Sequence, residues 1–105
     1  MRYTVILIGE ASGFSALVPA MPGCQSQGDT PEEALGNVRA AMEGWLATES
    51  EQGRGPLDDT RAVILQGVAQ AFDLLDEMRD AGEVPADFRE DIRIATVDVR
   101  RAVAA

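Results

Sequence analysis

The first thirty residues alternate between short apolar runs and turn sequences, a pattern typical of a β-meander. Residues 3–8, YTVILI, are β-branched and apolar on both alternating faces, which predicts an internal strand covered on both sides. After a turn at 9–13, the alternation across 14–18 predicts a second strand that forms a hairpin with the first. Residues 19–23 end that strand, their Pro–Gly pair favours a type II turn, and the polar residues 24–27 predict a short third strand at an edge.

The clearest local signal is a helix start at Thr30. Its hydroxyl can cap the backbone N–H of Glu33, Pro31 suits the first helical position, and acidic side chains suit the positive end of the helix dipole. The expected buried face is Leu35, Val38, Met42, Trp45 and Leu46. Beside it runs a stripe of small residues, Gly36, Ala40, Gly44 and Ala47.

A second helix is predicted at about 58–81, after the glycine- and proline-rich break at 51–56. Its apolar face is Val63, Ile64, Val68, Ala71, Phe72, Leu75 and Met78, and Ala81–Gly82 supplies its end. Glycine inside a helix costs about 1 kcal/mol relative to alanine, so the small stripe of the first helix needs a reason. We expect Gly67 and Ala71 of the second helix to pack against that stripe.

The last part of the chain predicts an acidic loop at 83–91 and a strand over Ile92–Val99. The apolar phase of this strand changes near Ala95, which indicates a bulge or burial on both faces. A right-handed crossover would place it parallel to the first strand, giving the sheet order 3-2-1-4. The expected fold is therefore a single α+β domain over residues 1–105, with a three-stranded antiparallel meander, a fourth strand and the helices packed on one face.

The charge balance narrows the choice of partners. The chain has 18 Asp and Glu against 9 Arg, with neither Lys nor His, so its formal charge is −9. Nucleic-acid affinity depends on many cationic contacts with phosphates, so direct nucleic-acid binding is disfavoured and a basic protein partner is favoured. No apolar run is long enough to span a bilayer, and the first residues lack the pattern of a signal peptide, which predicts a cytoplasmic protein.

The candidates for chemistry have simpler structural explanations. Cys24 is the only plausible nucleophile, and because the chain has no His and no Lys to activate it, we interpret it as a small apolar residue on a strand. Adjacent acids such as Asp58 and Asp59 read as helix caps and solvated surface, and the spacing of the acids matches no calcium loop. A single Cys and no His leave no zinc pattern, so neither a metal nor a cofactor is expected. A thiol- or carboxylate-dependent hydrolase is the enzyme alternative.

Residues 18–34, VPAMPGCQSQGDTPEEA, resemble the HicB family of antitoxins, because turn, edge strand and helix cap follow one another in that order. The resemblance extends through Asn37 and Ala41 to Trp45–Leu46, and back into the opening strand at Tyr3, and covers about half of the chain. It implies an α+β fold likened to a partial ribonuclease H fold without that enzyme's catalytic acids, and hence a protein that is not an enzyme.

The resemblance also implies a function. Family members bind HicA, a small toxin that cleaves mRNA, so this chain is expected to neutralise such a toxin by covering its RNA-binding and catalytic face. We expect Gln25, Gln27 and Asp29 near the contact surface, and a homodimer, because short exposed strands invite pairing. The helix at about 58–81 is interpreted as an addition to the family pattern, and no separate DNA-binding domain is expected. The alternative is an orphan binding or scaffolding domain with another protein or a small molecule as partner.

Overall fold

A computed structural model describes residues 1–10, 13–81 and 91–99 of the chain. The expected loop at 83–91 lies outside the described residues, apart from Asp91 at the start of the last strand. The elements are β1 (Arg2–Glu10), β2 (Gly13–Leu17), β3 (Gln25–Gly28), α1 (Pro31–Glu51), α2 (Arg61–Asp80) and β4 (Asp91–Asp98). This α+β content agrees with the prediction from the sequence.

The four strands form one sheet in the order β3-β2-β1-β4, as predicted. All three pairings are antiparallel, so the expectation that the last strand lies parallel to the first is wrong. Two helices, rather than one, separate β3 from β4, and α2 packs alongside β1 before the chain enters β4 opposite Gly9. β4 therefore begins beside the carboxyl end of β1 and runs toward Arg2, which makes it antiparallel to β1.

The helices lie on opposite faces of the sheet, which corrects the expectation of helices on one face. Odd-numbered residues of β1, such as Val5 and Leu7, belong to the core beneath α1, with Val38 and Met42 of that helix. Even-numbered residues of β1 belong to a second core beneath α2, whose buried members are Ile6, Ile8, Leu17, Ala71 and Leu75. The continuous apolar run of β1 therefore has a cover on each face, as such a run requires.

The predicted local signals are present at the turn and at the start of α1. Cys24 N–H donates to the Met21 carbonyl at 2.9 Å, and Gly23 has φ +84°, as a type II turn with Pro22 at its second position requires. Thr30 Oγ1 accepts from the Glu33 N–H at 3.1 Å, which fixes the start of α1. These two features flank β3 and so define where the strand begins and ends.

The expected packing of α2 on the small stripe of α1 is wrong. A Cβ built at Gly36 or Gly44 would meet nothing within 4 Å, so these glycines face open space. Gly67 does mark a close approach, but to the sheet: its Cβ would lie 2.5 Å from Cγ of Pro19 and 2.8 Å from Cδ1 of Ile6. Glycine at this position lets α2 approach β1 closely.

The last strand pairs with β1 without interruption, from Arg2 opposite Asp98 to Gly9 opposite Asp91. The phase change near Ala95 is therefore not a bulge. Val97 is buried in the core beneath α1, whereas Ile92 packs against the core beneath α2, so the strand contributes to both faces. Of the two interpretations that the sequence allowed, burial on both faces is confirmed.

Candidate protein-binding surface

Gln25 and Gln27 lie on β3, the edge strand next to β2, with exposed side chains. The Val18 N–H donates to the Cys24 carbonyl at 3.1 Å, which shows that even-numbered residues here face β2 with their backbone groups. The backbone N–H and C=O groups of Gln25 and Gln27 consequently point away from the sheet. Outward-facing groups of this kind can pair with a strand of another chain.

The end of this edge nearest α1 is held by Asn37. Its side-chain amide donates to the Gln27 carbonyl at 2.8 Å, which ties the first half of α1 to the edge strand. Gln27 and Asp29 share a shallow groove of about 410 Å³ with Asn37 and Glu33. The structure thus brings two of the three predicted contact residues together, on a polar surface beside the start of α1.

The other end of the edge is held by Trp45. Its indole N–H donates to the Pro22 carbonyl at 3.0 Å, which anchors the turn that precedes β3 to α1. Gln25 lies near this end, and it also lines a separate cleft of about 180 Å³ beneath α2, together with Leu17, Leu57 and Gln66. Gln25 is therefore on the same edge as Gln27 but in a different depression of the surface.

Acidic side chains surround the start of α1. Glu32 and Glu33 are exposed in its first turn, where the helix dipole favours negative charge, and the neighbouring Asp29 is also exposed. The dipole accounts for the position of the two glutamates in the fold. Together with the formal charge of −9, the three carboxylates give this end of the β3 edge a negative potential that suits a cationic partner.

Cys24 is the buried neighbour of this surface. It is only 6% exposed and packs in the core beneath α1, and burial raises the pKa of its thiol above the ordinary value. A protonated, covered thiol is a poor nucleophile. The structure therefore favours the interpretation of Cys24 as a small core residue.

The paired acids before α2 have different surroundings. Both residues are exposed, and Asp59 also accepts hydrogen bonds from the backbone and side chain of Thr4. Over residues 1–10, 13–81 and 91–99, Asp, Glu and Cys side chains nowhere gather in threes close enough to hold a metal ion. In the same ranges no helix is sufficiently long and apolar to cross a membrane.

Sequence reasoning missed the exposure of some apolar side chains and the hydrogen bond between Asn37 and Gln27. Phe72 is 44% exposed although the helical pattern places it on the buried face of α2, and Leu65 and Ile94 are 60% and 62% exposed. Asn37 was part of the family resemblance, but no sequence signal links it to Gln27. Such a contact depends on how α1 is placed over β3, which local pattern does not determine.

Comparisons with known proteins agree with this architecture. Residues 3–81 match the family model described as HicB_like antitoxin of bacterial toxin-antitoxin system, a range that includes α2. The fold is similar to the crystal structure of the N-terminal domain of the Burkholderia pseudomallei antitoxin HicB. The TM-score is 0.50 with 20% sequence identity, covering 94% of this chain and 100% of that one.

Three curated relatives, all described as UPF0150 proteins, match shorter stretches of the chain. The Thermoplasma acidophilum protein is 43% identical over 47 residues, which is 44% of this chain and 68% of the relative. The Synechocystis protein is 50% identical over 43 residues, which is 40% of this chain and 54% of the relative. The Helicobacter pylori protein is 39% identical over 46 residues, 44% of this chain and 64% of the relative.

Proposed function

The chain belongs to the HicB-like antitoxin family, and on that premise we propose that it binds and neutralises a small basic toxin of the HicA type. The family match over residues 3–81 is the observation that carries the proposal. It agrees with the fold of the N-terminal domain of a HicB antitoxin. In this role the protein is a binding partner and not an enzyme, and it works in the cytoplasm, where an mRNA-cleaving toxin acts.

The proposed contact runs along the β3 edge. The outward backbone groups of Gln25 and Gln27 would pair with a strand or loop of the toxin, as in other cases where an edge strand recruits a partner. Asp29, Glu32 and Glu33 are exposed at one end of this edge and would face the cationic side chains with which the toxin holds RNA phosphates. Occupation of those side chains would exclude the RNA.

Charge decides how the complex forms and how it responds to salt. A chain of charge −9 attracts a basic partner over distances comparable to the Debye length, roughly 10 Å at 0.1 M salt. Association should therefore slow as ionic strength rises, while the short contacts along β3 persist longer. The active form proposed here is a homodimer, with one toxin molecule at the β3 edge of each copy.

The test is co-purification with a HicA-type toxin, in which the affinity tag is on the toxin; a small basic protein encoded beside this chain would be the first candidate. We expect a stable complex at 0.15 M salt and inhibition of mRNA cleavage by the purified antitoxin. Replacing both Gln25 and Gln27 by Lys should weaken capture at least tenfold, because it places positive charge against a cationic partner. The matched control is Ala47→Lys with Ala69→Lys, the same charge change at exposed positions on the helices.

The control pair separates a local effect from the change in net charge. Equal losses from both double variants would contradict the β3 edge as the contact, since net charge alone would then explain the result. Absence of any complex with such a toxin would contradict neutralisation. Binding of a different protein in its place would identify the chain as a scaffolding member of the family.

A further inference from the structure

The opposite edge of the sheet, β4, also carries outward-facing backbone groups. The Met1 amino group donates to the Val99 carbonyl at 2.9 Å, and the Val99 N–H donates to the Met1 carbonyl at 2.8 Å. This reciprocal pair fixes the alternation, so the odd-numbered residues from 91 to 97 face β1 with their backbone groups. The backbone N–H and C=O groups of Ile92, Ile94, Thr96 and Asp98 therefore point away from the sheet.

An exposed apolar side chain lies at the centre of this edge. Ile94 pairs with Ile6 and so lies on the α2 face of the sheet, where Ile6 is completely buried. Ile92, two residues earlier, packs against the core beneath α2, but Ile94 remains 62% exposed. The core beneath α2 thus ends at the β4 edge with an isoleucine that nothing in the described residues covers.

The flank of α2 nearest β4 is apolar as well. Val63, Gln66 and Gln70 line the cleft on the β3 side of the helix. Leu65 and Phe72 lie on the opposite flank by helical geometry, and they are 60% and 44% exposed. Single exposed apolar side chains are common, whereas three on one side of the molecule indicate a contact surface.

We propose that β4 pairs antiparallel with β4 of a second copy, so that two four-stranded sheets join into one eight-stranded sheet. This deepens the homodimer of the proposed function and does not depend on toxin binding. Antiparallel pairing between the same strand of two copies is compatible with a two-fold axis, so both copies contribute the same surface to the interface. Because only even-numbered residues have outward backbone groups, even-numbered residues must pair with each other across the axis.

Two registers, with the two-fold axis near the middle of β4, bring the two Ile94 side chains together. In one, Ile94 lies directly opposite Ile94 of the second copy. In the next, shifted by two residues, Ile94 lies opposite Thr96 of the second copy and diagonal to its Ile94, with the two Ala95 residues facing each other. Either register covers the exposed isoleucine, and both leave β3 accessible at the far end of each sheet.

The distribution of charge favours a second copy at this edge. The centre of β4, residues 92–97, contains no acidic side chain and one arginine, in a chain whose formal charge is −9. The acids of the strand, Asp91 and Asp98, are at its two ends, and Asp98 lies 3.5 Å from the guanidinium of Arg2. The β3 edge, in contrast, ends at Asp29, Glu32 and Glu33. Two strongly negative chains can therefore meet at the centre of β4 with little local repulsion, and added salt should strengthen their association by screening the rest of the surface.

The test is the molar mass of the purified chain by light scattering, at 0.1 and 0.5 M salt. We expect a dimer of about twice 11.2 kDa, with a dissociation constant that falls at the higher salt. Ile94→Lys should raise the dissociation constant at least a hundredfold, because it places two ammonium groups beside each other at the axis. Leu57→Lys is the control, since Leu57 is 48% exposed in the link before α2 and away from β4.

Disulfide cross-linking tests the register on a background in which Cys24 is replaced by Ala. Ile94→Cys should cross-link in the first register and Ala95→Cys in the second, while Ala69→Cys, on the outer side of α2, should not. A monomer at 0.5 M salt and 100 μM protein would overturn the proposal. So would a dimer that survives Ile94→Lys and is cross-linked by neither β4 cysteine.

The two proposals fail in different experiments. Toxin capture is measured with the Gln25 and Gln27 variants and weakens with salt, whereas self-association is measured with the β4 variants and strengthens with salt. A monomer that still captures toxin would overturn only the β4 pairing. A dimer that captures no toxin would overturn only neutralisation.

Discussion

Asp59 takes the place of a neighbouring strand beside Thr4. Its Oδ2 accepts from the Thr4 backbone N–H at 3.1 Å and from the Thr4 hydroxyl at 2.7 Å. The β1–β2 ladder ends at Ile6 opposite Leu17, and the next position along β2 toward Thr4 is Pro19, which has no N–H and leaves the strand. The carboxylate therefore completes the hydrogen bonding of β1 where β2 cannot.

This contact also guides the chain from one face of the sheet to the other. The link between the helices is attached to the turn after β2 by the Leu57 N–H, which donates to the Ala20 carbonyl at 2.7 Å, and to β1 by Asp59. Beyond Asp59, Thr60 Oγ1 accepts from the Val63 N–H at 3.3 Å and α2 begins. The position of Asp59 thus sets the start of α2 beneath the face that α1 does not cover.

Asp59→Ala should lower the free energy of unfolding by about 1–3 kcal/mol, because it leaves the N–H and hydroxyl of the buried Thr4 without their acceptor. The matched control is Asp58→Ala, the adjacent acid, which is also exposed but is not the acceptor for Thr4, and for which we expect a change within about 0.5 kcal/mol. Urea unfolding followed by circular dichroism measures both. Equal effects at the two positions would contradict the role assigned to Asp59.

Gly67→Ala should destabilise the protein by about 1–3 kcal/mol, although alanine is the better helix former. Its Cβ would lie 2.5 Å from the Pro19 ring, which is part of a constrained turn and yields little. Gly44→Ala is the control, because it adds the same methyl group to a helix interior with open space around it, and should stabilise by about 0.5–1 kcal/mol. Opposite signs in urea unfolding are the expected result, and a stabilised Gly67→Ala would contradict the close approach of α2 to β1.

The contrast between these two glycines shows how far the sequence could predict the fold. Local signals at Thr30 and at Pro22–Gly23 gave the start of α1 and the turn before β3, because each depends on a few adjacent residues. The small stripe of α1 suggested helix–helix packing, but a stripe does not say what lies next to it. The apolar run of β1 is more informative, because a strand that is apolar on both faces needs a packed element on each face of the sheet.

The candidate surface was predictable to a similar extent. Gln25 and Gln27 were placed on an edge strand from their polarity and from the preceding prolines, and the structure has them there. The hydrogen bonds from Asn37 to that strand and from Trp45 to the turn before it join residues 10 and 23 positions apart, and they depend on where α1 lies over the sheet. The exposure of Ile94 likewise follows from the width of the cover that α2 provides, which is a property of packing.

Cys24 should react slowly with iodoacetamide in the native protein at pH 7.5 and rapidly in 8 M urea, because burial raises the pKa of its thiol and covers the sulfur. Since the folded state holds this proton more tightly than the unfolded state, the contribution to stability is complete below the ordinary thiol pKa of about 8.5. It is lost as pH rises through the raised value. Stability should therefore fall more steeply above pH 8.5 in the wild type than in Cys24→Ala, and parallel curves would contradict the effect of burial.

Asn37→Ala should lower the free energy of unfolding by about 0.5–1.5 kcal/mol, through loss of the 2.8 Å hydrogen bond to the Gln27 carbonyl. The same substitution releases an outward-facing acceptor on the β3 edge, so a partner strand no longer has to displace the Asn37 amide. We therefore expect tighter toxin capture by a less stable protein. Thr30→Ala is the control, because loss of its bond to the Glu33 N–H costs about 1 kcal/mol at the same end of α1 and leaves the Gln27 carbonyl bound. If both variants weaken capture equally, stability alone governs binding, and the Gln27 carbonyl is not the group that the toxin contacts.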